Sequence, residues 1–184
     1  GPKLVHICEQ ASQISRNQEI IVYCQRGGMR SGSVAWLLKT AGFKVFILKG
    51  GYKSYRKKVL DSFSNIFRFI IIGGKTGTGK TEFLKLLSEK GEQVLDIEEI
   101  AHHRGSVFGQ IAGIEQDSNE YFENNLFEKL HSFDILKNVW IEDESRVIGK
   151  NILPIEMYNK MKRSPVIVLD LEKEKRVKHL VNMY

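Results

Sequence analysis

The chain has 184 residues, of which 42% are hydrophobic and 27% charged, with 16 glycines and 3 prolines. This balance excludes a disordered, collagenous or low-complexity chain, and no apolar run approaches the ~20 residues of a membrane helix. Lysine plus arginine number 28 against 22 acids, a net charge of +6 that suits a polyanionic partner without proving one.

Two cysteines, Cys8 and Cys24, are too few for a disulfide framework, so the expected setting is a reducing cytoplasm. Cys8 falls on a predicted helix and has no reactive surroundings. Residues 20–23 form a short β-branched run that ends at Cys24, and a glycine-rich turn follows. Helical periodicity then resumes through Val34, Ala35, Leu37, Leu38 and Ala41, with Gly42 placed as a stop. Residues 45–48 predict a second strand, closed by Gly50 and Gly51, and residues 52–63 a helix carrying Lys53, Arg56, Lys57 and Lys58.

A second module begins at residues 67–72, a fully apolar run of the kind found in parallel strands buried on both faces. Further strands are predicted at 94–97, 139–141 and 166–169, with helical stretches between them, the βαβ signature of a parallel α/β sheet. Residues 172–184 form an amphipathic segment. The expected division is 1–64 and 65–184.

Gly74, Lys75, Thr76, Gly77, Thr78, Gly79, Lys80 and Thr81 fit G-x-x-x-x-G-K-[ST] in full, between an apolar strand and an amphipathic helix predicted over 81–90. Glycines let the backbone curl so that several N–H groups face one phosphate, and the helix N-terminus adds its positive end. Lys80 adds a point charge, and the Thr81 hydroxyl is placed to hold Mg²⁺. A Walker-B-type acid is expected at the end of a neighbouring strand; Asp96, Glu142 and Asp143 qualify by position, Asp96 also as a Mg²⁺ ligand. Binding a nucleotide and hydrolysing it remain separate questions.

Cys24, Gln25, Arg26, Gly27, Gly28, Met29 and Arg30 form a C-x5-R loop between strand and helix. Such a loop wraps its amides around an anion, with Arg30 as a bidentate clamp. Cys24 then sits near a helix N-terminus and two arginines, which favours the thiolate. Two chemistries stay open: attack on phosphorus, or acceptance of a chalcogen atom. The first needs a general acid, and Asp61, in a helical neighbourhood, is a poor one.

Tyr23 to Gly32 followed by Gly50-Gly51-Tyr52 resembles the C-terminal half of a rhodanese domain. Joined to the phosphate loop, it resembles the tRNA 2-selenouridine synthase family. The segment from Leu95-Asp96-Ile97-Glu98 through His102, His103, Arg104, Gly105, Ser106 and Gly109, and then Glu142-Asp143-Glu144-Ser145 with Ile148-Gly149, carries the resemblance further. It implies a rhodanese-like half-domain followed by a P-loop parallel-sheet domain, and a two-stage reaction on 2-thiouridine at the tRNA wobble position. The sulfur is first alkylated with geranyl from geranyl diphosphate, and selenium from selenophosphate then displaces the S-geranyl group. Cys24 would serve the selenium stage, Arg30 and the loop amides would hold selenophosphate, and the phosphate loop would hold the prenyl diphosphate or a tRNA phosphate.

His103, Arg104, Gly105 and Ser106, with Asp96, Glu142 and Glu144, are expected to support the site. Adjacent histidines lack the i, i+4 spacing of helix metal ligands. Lys53, Arg56, Lys57 and Lys58 either contact tRNA phosphates or form a solvated face. A rhodanese domain needs roughly twice the ~60 residues preceding the second module, and strands left unpaired are costly, so either the chain is a fragment or, the expectation adopted, a second polypeptide supplies its N-terminal half. Two rival classes stand beside the transferase: a P-loop kinase or ATPase with a rhodanese-like regulatory module, and a non-catalytic phosphate- or tRNA-binding subunit.

Overall fold

The computed structural model describes residues 1–64, 67–103 and 115–183. The chain divides into two compact units, Gly1–Lys58 and Val59–Tyr184.

The first unit contains α1 (Pro2–Ile14), β1 (Glu19–Val22), α2 (Met29–Thr40), β2 (Lys44–Ile47) and the greater part of α3 (Gly51–Ser62). β1 and β2 pair in parallel, from Glu19 opposite Lys44 to Val22 opposite Ile47, with α2 as the crossover. Gly42 stops α2 as its sequence position predicts. At φ +93° it lets Phe43 N–H reach the Leu38 carbonyl (3.0 Å) and its own N–H the Lys39 carbonyl (3.1 Å). Ala11, Ala35 and Leu38 are buried, whereas Ile21 (65%), Phe46 (48%) and Ile47 (45%) on the two strands remain exposed.

The second unit runs β3 (Arg68–Gly74), α4 (Lys80–Glu89), β4 (Gln93–Leu95), α5 (Ile97–Ile100), α6 (Asn119–His131) and β5 (Asn138–Glu142). It continues with β6 (Val147–Ile148), β7 (Asn151–Ile152), α7 (Ile155–Met161), β8 (Val166–Leu169) and α8 (Lys173–Met183). Four strands form a parallel sheet in the order β4-β5-β3-β8. Phe69, Ile71 and Ile72 of β3 and Val139 and Ile141 of β5 are buried. So are Leu84 of α4, Phe122 and Leu126 of α6, and Met157 and Met161 of α7. This α/β architecture places the turn after β3 beside the end of β5, where Ile72 stands opposite Glu142. In such sheets ligands gather at the carboxyl ends of the strands.

The strand expected at 94–97 stops at Leu95. Asp96 takes extended geometry and its Oδ1 accepts the Glu99 N–H at 2.8 Å, capping α5. The antiparallel β6–β7 hairpin also goes beyond the sequence reading. Its turn contains Gly149 at φ +59°, and the Gln116 amide ties it down. Among the described residues no helix is long and apolar enough to cross a membrane.

Candidate functional site

In the first unit, β1 delivers the chain to Cys24 and α2 begins at Met29, so residues 24–28 must turn back within a few bonds. Gly27 (φ +67°) and Gly51 (φ +62°) make this turn fit. A Cβ on Gly27 would stand 2.8 Å from the Gly51 nitrogen, and one on Gly51 would collide with the Cys24 carbonyl oxygen. The first turn of α3 closes the back of the loop: Tyr52 N–H donates to the Cys24 carbonyl and Lys53 N–H to the Gln25 carbonyl, both at 3.0 Å.

The front is a cup of about 400 Å³ lined by Cys24, Gln25, Arg26, Gly28, Met29 and Arg30. Gly28 N–H donates to Cys24 Sγ at 3.3 Å, and Ser31 Oγ lies 3.4 Å from the same sulfur. The thiol is brought down to about 6, first by the Ser31 hydroxyl and then by backbone N–H groups of Arg26 and Gly28, against a burial penalty. A partly exposed thiolate in a ring of amides with two arginines on its rim is a nucleophile that also attracts an anion. Both cysteines are free. Ser31, one turn into α2 and buried, is the thiol's main partner, a role the loop motif did not suggest.

In the second unit, Gly74 (φ +145°), Gly77 (φ +82°) and Gly79 (φ +81°) shape the phosphate loop. A Cβ on Gly74 would lie 2.6 Å from the Leu169 carbonyl oxygen, and one on Gly77 2.9 Å from the Arg176 carbonyl oxygen, so β8 and α8 press directly on the loop. Arg176 Nη1 donates to the Thr76 carbonyl at 3.3 Å and its Nε to the Leu171 carbonyl at 3.1 Å. Thr78 Oγ1 donates to the Lys75 carbonyl at 2.8 Å. Lys80 Nζ lies 3.2 Å from the Gly74 carbonyl and 3.3 Å from Glu142 Oε1.

The acid that meets the loop lysine is therefore Glu142, at the end of the strand beside β3. Burial raises its carboxyl and Lys80 opposes the shift. Glu144 accompanies it at the same sheet end and is raised to about 7, chiefly by burial, then by the charges of Glu98 and Glu142 and a hydrogen bond with Glu98. Asp96 and Thr81 line one cavity, also lined by Leu84, Val94, Ile100 and His103. One oxygen of Asp96 serves as the α5 cap. Among the described residues no group of three or more His, Cys, Asp or Glu side chains is placed to hold a metal ion. Asp143 faces outward to Lys162 at 3.1 Å. His103 Nδ1 is buried and has no hydrogen-bond partner among the described residues. Arg104, Gly105 and Ser106 lie outside the described residues.

A cysteine cup of rhodanese type and a P-loop parallel sheet, carried on one chain, define the class. The family model described as tRNA 2-selenouridine synthase AAA domain matches residues 67–184, and the one described as rhodanese-like domain matches residues 3–58. The chain belongs to the tRNA 2-selenouridine synthase family. It is 38% identical over 175 residues to a tRNA 2-selenouridine synthase of Shewanella halifaxensis, covering 92% of this chain and 47% of that protein. It is 39% identical over 174 residues to that of Bordetella petrii (89% and 44%) and 34% over 183 residues to that of Aeromonas salmonicida (94% and 47%). The chain thus spans slightly under half the length of these curated relatives.

Proposed function

We propose that the chain works in a tRNA-modifying transferase that converts wobble 2-thiouridine to 2-selenouridine. The observation that carries this reading is the combination, on one chain, of an acidified thiol in an amide cup with a phosphate loop. Each is a site for a different anion. The names of the relatives, each a tRNA 2-selenouridine synthase, support the substrate class.

In the first stage the loop around Lys80 holds the diphosphate of geranyl diphosphate. The thiocarbonyl sulfur attacks the prenyl carbon, a C–S bond forms, and the C–O bond to diphosphate breaks. Lys80 and the loop amides stabilise the charge growing on the leaving group. Mg²⁺, if used, would bind through the Thr81 hydroxyl and the diphosphate's own oxygens. In the second stage selenophosphate sits in the Cys24 cup, clamped by Arg30. Its selenium attacks C2 of the base, the C2–S bond breaks and geranylthiol leaves. Water then cleaves the Se–P bond to release phosphate and leave 2-selenouridine. Lys53, Arg56, Lys57 and Lys58 on α3 supply phosphate contacts to the tRNA. The reducing cytoplasm keeps Cys24 a free thiol.

The exposed Ile21, Phe46 and Ile47 on a sheet of only two strands support a further element of the reading. A second polypeptide of the rhodanese type lies against these strands and completes their sheet.

Mass spectrometry of 2-thiouridine tRNA incubated with the chain, geranyl diphosphate and selenophosphate, with and without the partner, tests this. Appearance of the S-geranyl and then the selenium product supports it. Unchanged 2-thiouridine with folded protein in both reactions overturns it. Phosphate release from ATP without tRNA would point instead to a P-loop ATPase.

A further inference from the structure

Thr81, the last residue of the phosphate loop, also opens a cavity of about 590 Å³ that extends along α4 toward β4, α5 and α6. This volume lies within the range of small-ligand sites. Its walls mix two chemistries: Leu84 and Val94 are apolar, while Glu98, His103 and Lys129 bring a carboxyl group, an imidazole and an ammonium. His103 Nδ1 is buried with no hydrogen-bond partner among the described residues. Buried nitrogens without partners are rare in folded proteins, and each calls for an explanation.

A hydrocarbon chain laid in the cavity would press against the carboxyl group of Glu98 and the imidazole of His103, two polar groups that it cannot hydrogen-bond. A planar heterocycle with N–H and carbonyl groups along one edge would satisfy both. Glu98 is already held by its hydrogen bond with Glu144, so it offers a fixed group rather than a roaming one. Lys129, exposed on α6 and lining the cavity, offers an ammonium group to the phosphate backbone of an RNA strand. A base on which chemistry is done must leave its stack, and a flipped base is read by hydrogen bonds along its edge.

We propose that this cavity receives the extruded pyrimidine base of the RNA substrate, with His103 and Glu98 reading its hydrogen-bonding edge. The assignment rests on the tRNA-modification reading above and deepens it. Because Thr81 belongs to both places, a base held here is the immediate neighbour of whatever phosphate group the loop holds.

The test uses the full chain and two synthetic anticodon stem-loops, one carrying 2-thiouridine at the target position and one abasic there. Inorganic pyrophosphate and geranyl diphosphate serve as the loop ligands. The wild-type chain is expected to bind the 2-thiouridine RNA at least about tenfold more tightly than the abasic twin, the equivalent of one buried hydrogen bond to a charged group. Ser88→Phe, which fills the cavity from an exposed position on α4, is expected to abolish that preference and leave both loop-ligand affinities unchanged. His103→Ala, needed should Ser88→Phe not fold, is expected to reduce the preference as well.

A preference that survives both substitutions overturns the cavity assignment and leaves the tRNA reading intact. Loss of geranyl diphosphate affinity relative to pyrophosphate in Ser88→Phe assigns the cavity to the prenyl chain and also overturns it. A wild-type chain that binds neither RNA overturns the tRNA reading and the assignment together.

Discussion

Ser31 Oγ lies 3.4 Å from Cys24 Sγ and donates to the Gly28 carbonyl at 2.9 Å. A hydroxyl has one proton. It serves the carbonyl while the thiol is protonated, and turns to the sulfur when the thiol ionises. Gly28 N–H, donating to the same sulfur at 3.3 Å, needs no such turn. The acidity of Cys24 is thus built from a serine in the first turn of α2 and from amides of its own loop.

Ser31→Ala is therefore expected to move the Cys24 midpoint upward from about 6. The rate of iodoacetamide alkylation followed against pH reads it directly. Below pH 6 the variant should react several-fold more slowly than the wild type, and the two should converge in alkaline solution where both thiols are ionised. An unmoved midpoint would show that the amides alone hold the thiolate.

Gly51 is the second control on this thiol. It has φ +62°, and a Cβ there would collide with the Cys24 carbonyl oxygen. Gly51→Ala combines a left-handed strain of roughly 1–3 kcal/mol with a backbone clash, so the cup must open. The expected result is a thiol titrating nearer its ordinary range and a lowered melting temperature for the variant. Gly28→Ala, where a Cβ meets nothing within 4 Å, should leave both nearly unchanged.

At the phosphate loop, Lys80 faces a competition between Glu142 and an incoming anion. Lys80→Ala removes a charge-assisted contact of about 1.5–3 kcal/mol, so pyrophosphate affinity measured by calorimetry should fall about tenfold or more. Glu142→Gln should act in the opposite direction in metal-free buffer. It removes a rival for the ammonium and a negative charge from the site, and binding should tighten. A weakening in both variants would mean that Glu142 positions Lys80 rather than competing for it.

Much of this was readable from local sequence, because glycine-rich turns, helix stops and parallel apolar strands are written in consecutive residues. The C-x5-R loop, the phosphate loop and the Gly42 stop all depend on backbone geometry within a few positions. The end of β4 was readable too: Asp96 followed three residues later by Glu99 is a helix-start pattern, which the apolar run Val94-Leu95 obscured. Contacts across long sequence separations were not readable. Glu98 and Glu144 meet only because β4 and β5 are neighbours, and the Gln116–Asn151 contact spans 35 positions.

Glu144 ties the acid cluster to stability. Its folded-state carboxyl is raised to about 7 from an ordinary 4.5, so the folded form prefers the proton. The stability gained from the protonated carboxyl is fully present below about pH 4.5 and is lost as pH rises through 7. Glu144→Gln, which cannot ionise, should show a flatter profile of chemical-denaturation midpoints between pH 4.5 and 7.5. A wild-type profile as flat as the variant's would refute the linkage.

The Gln116–Asn151 contact predicts where the second unit is most sensitive away from its apolar core. Asn151 is 1% exposed, its Nδ2 donates to the Asp117 carbonyl at 3.1 Å, and its Oδ1 accepts from Gln116 Nε2 at 2.9 Å. Gln116 also donates to the Ala101 and Ile148 carbonyls and accepts from Lys150 N–H, so it joins α5, the hairpin and the approach to α6. Asn151→Leu would leave the Asp117 carbonyl without that donor and crowd Gln116, at a cost of about 1–3 kcal/mol for each buried polar group left unsatisfied. Trp140 lies in β5 and Trp36 in α2, so a Trp36→Phe background confines the fluorescence signal to the second unit. Urea unfolding followed through Trp140 should then show a midpoint clearly lower for Asn151→Leu, with Cys24 alkylation in the first unit unaltered. A midpoint within error of the parent would mean that the hairpin is held by Ile148 and Leu153 burial alone.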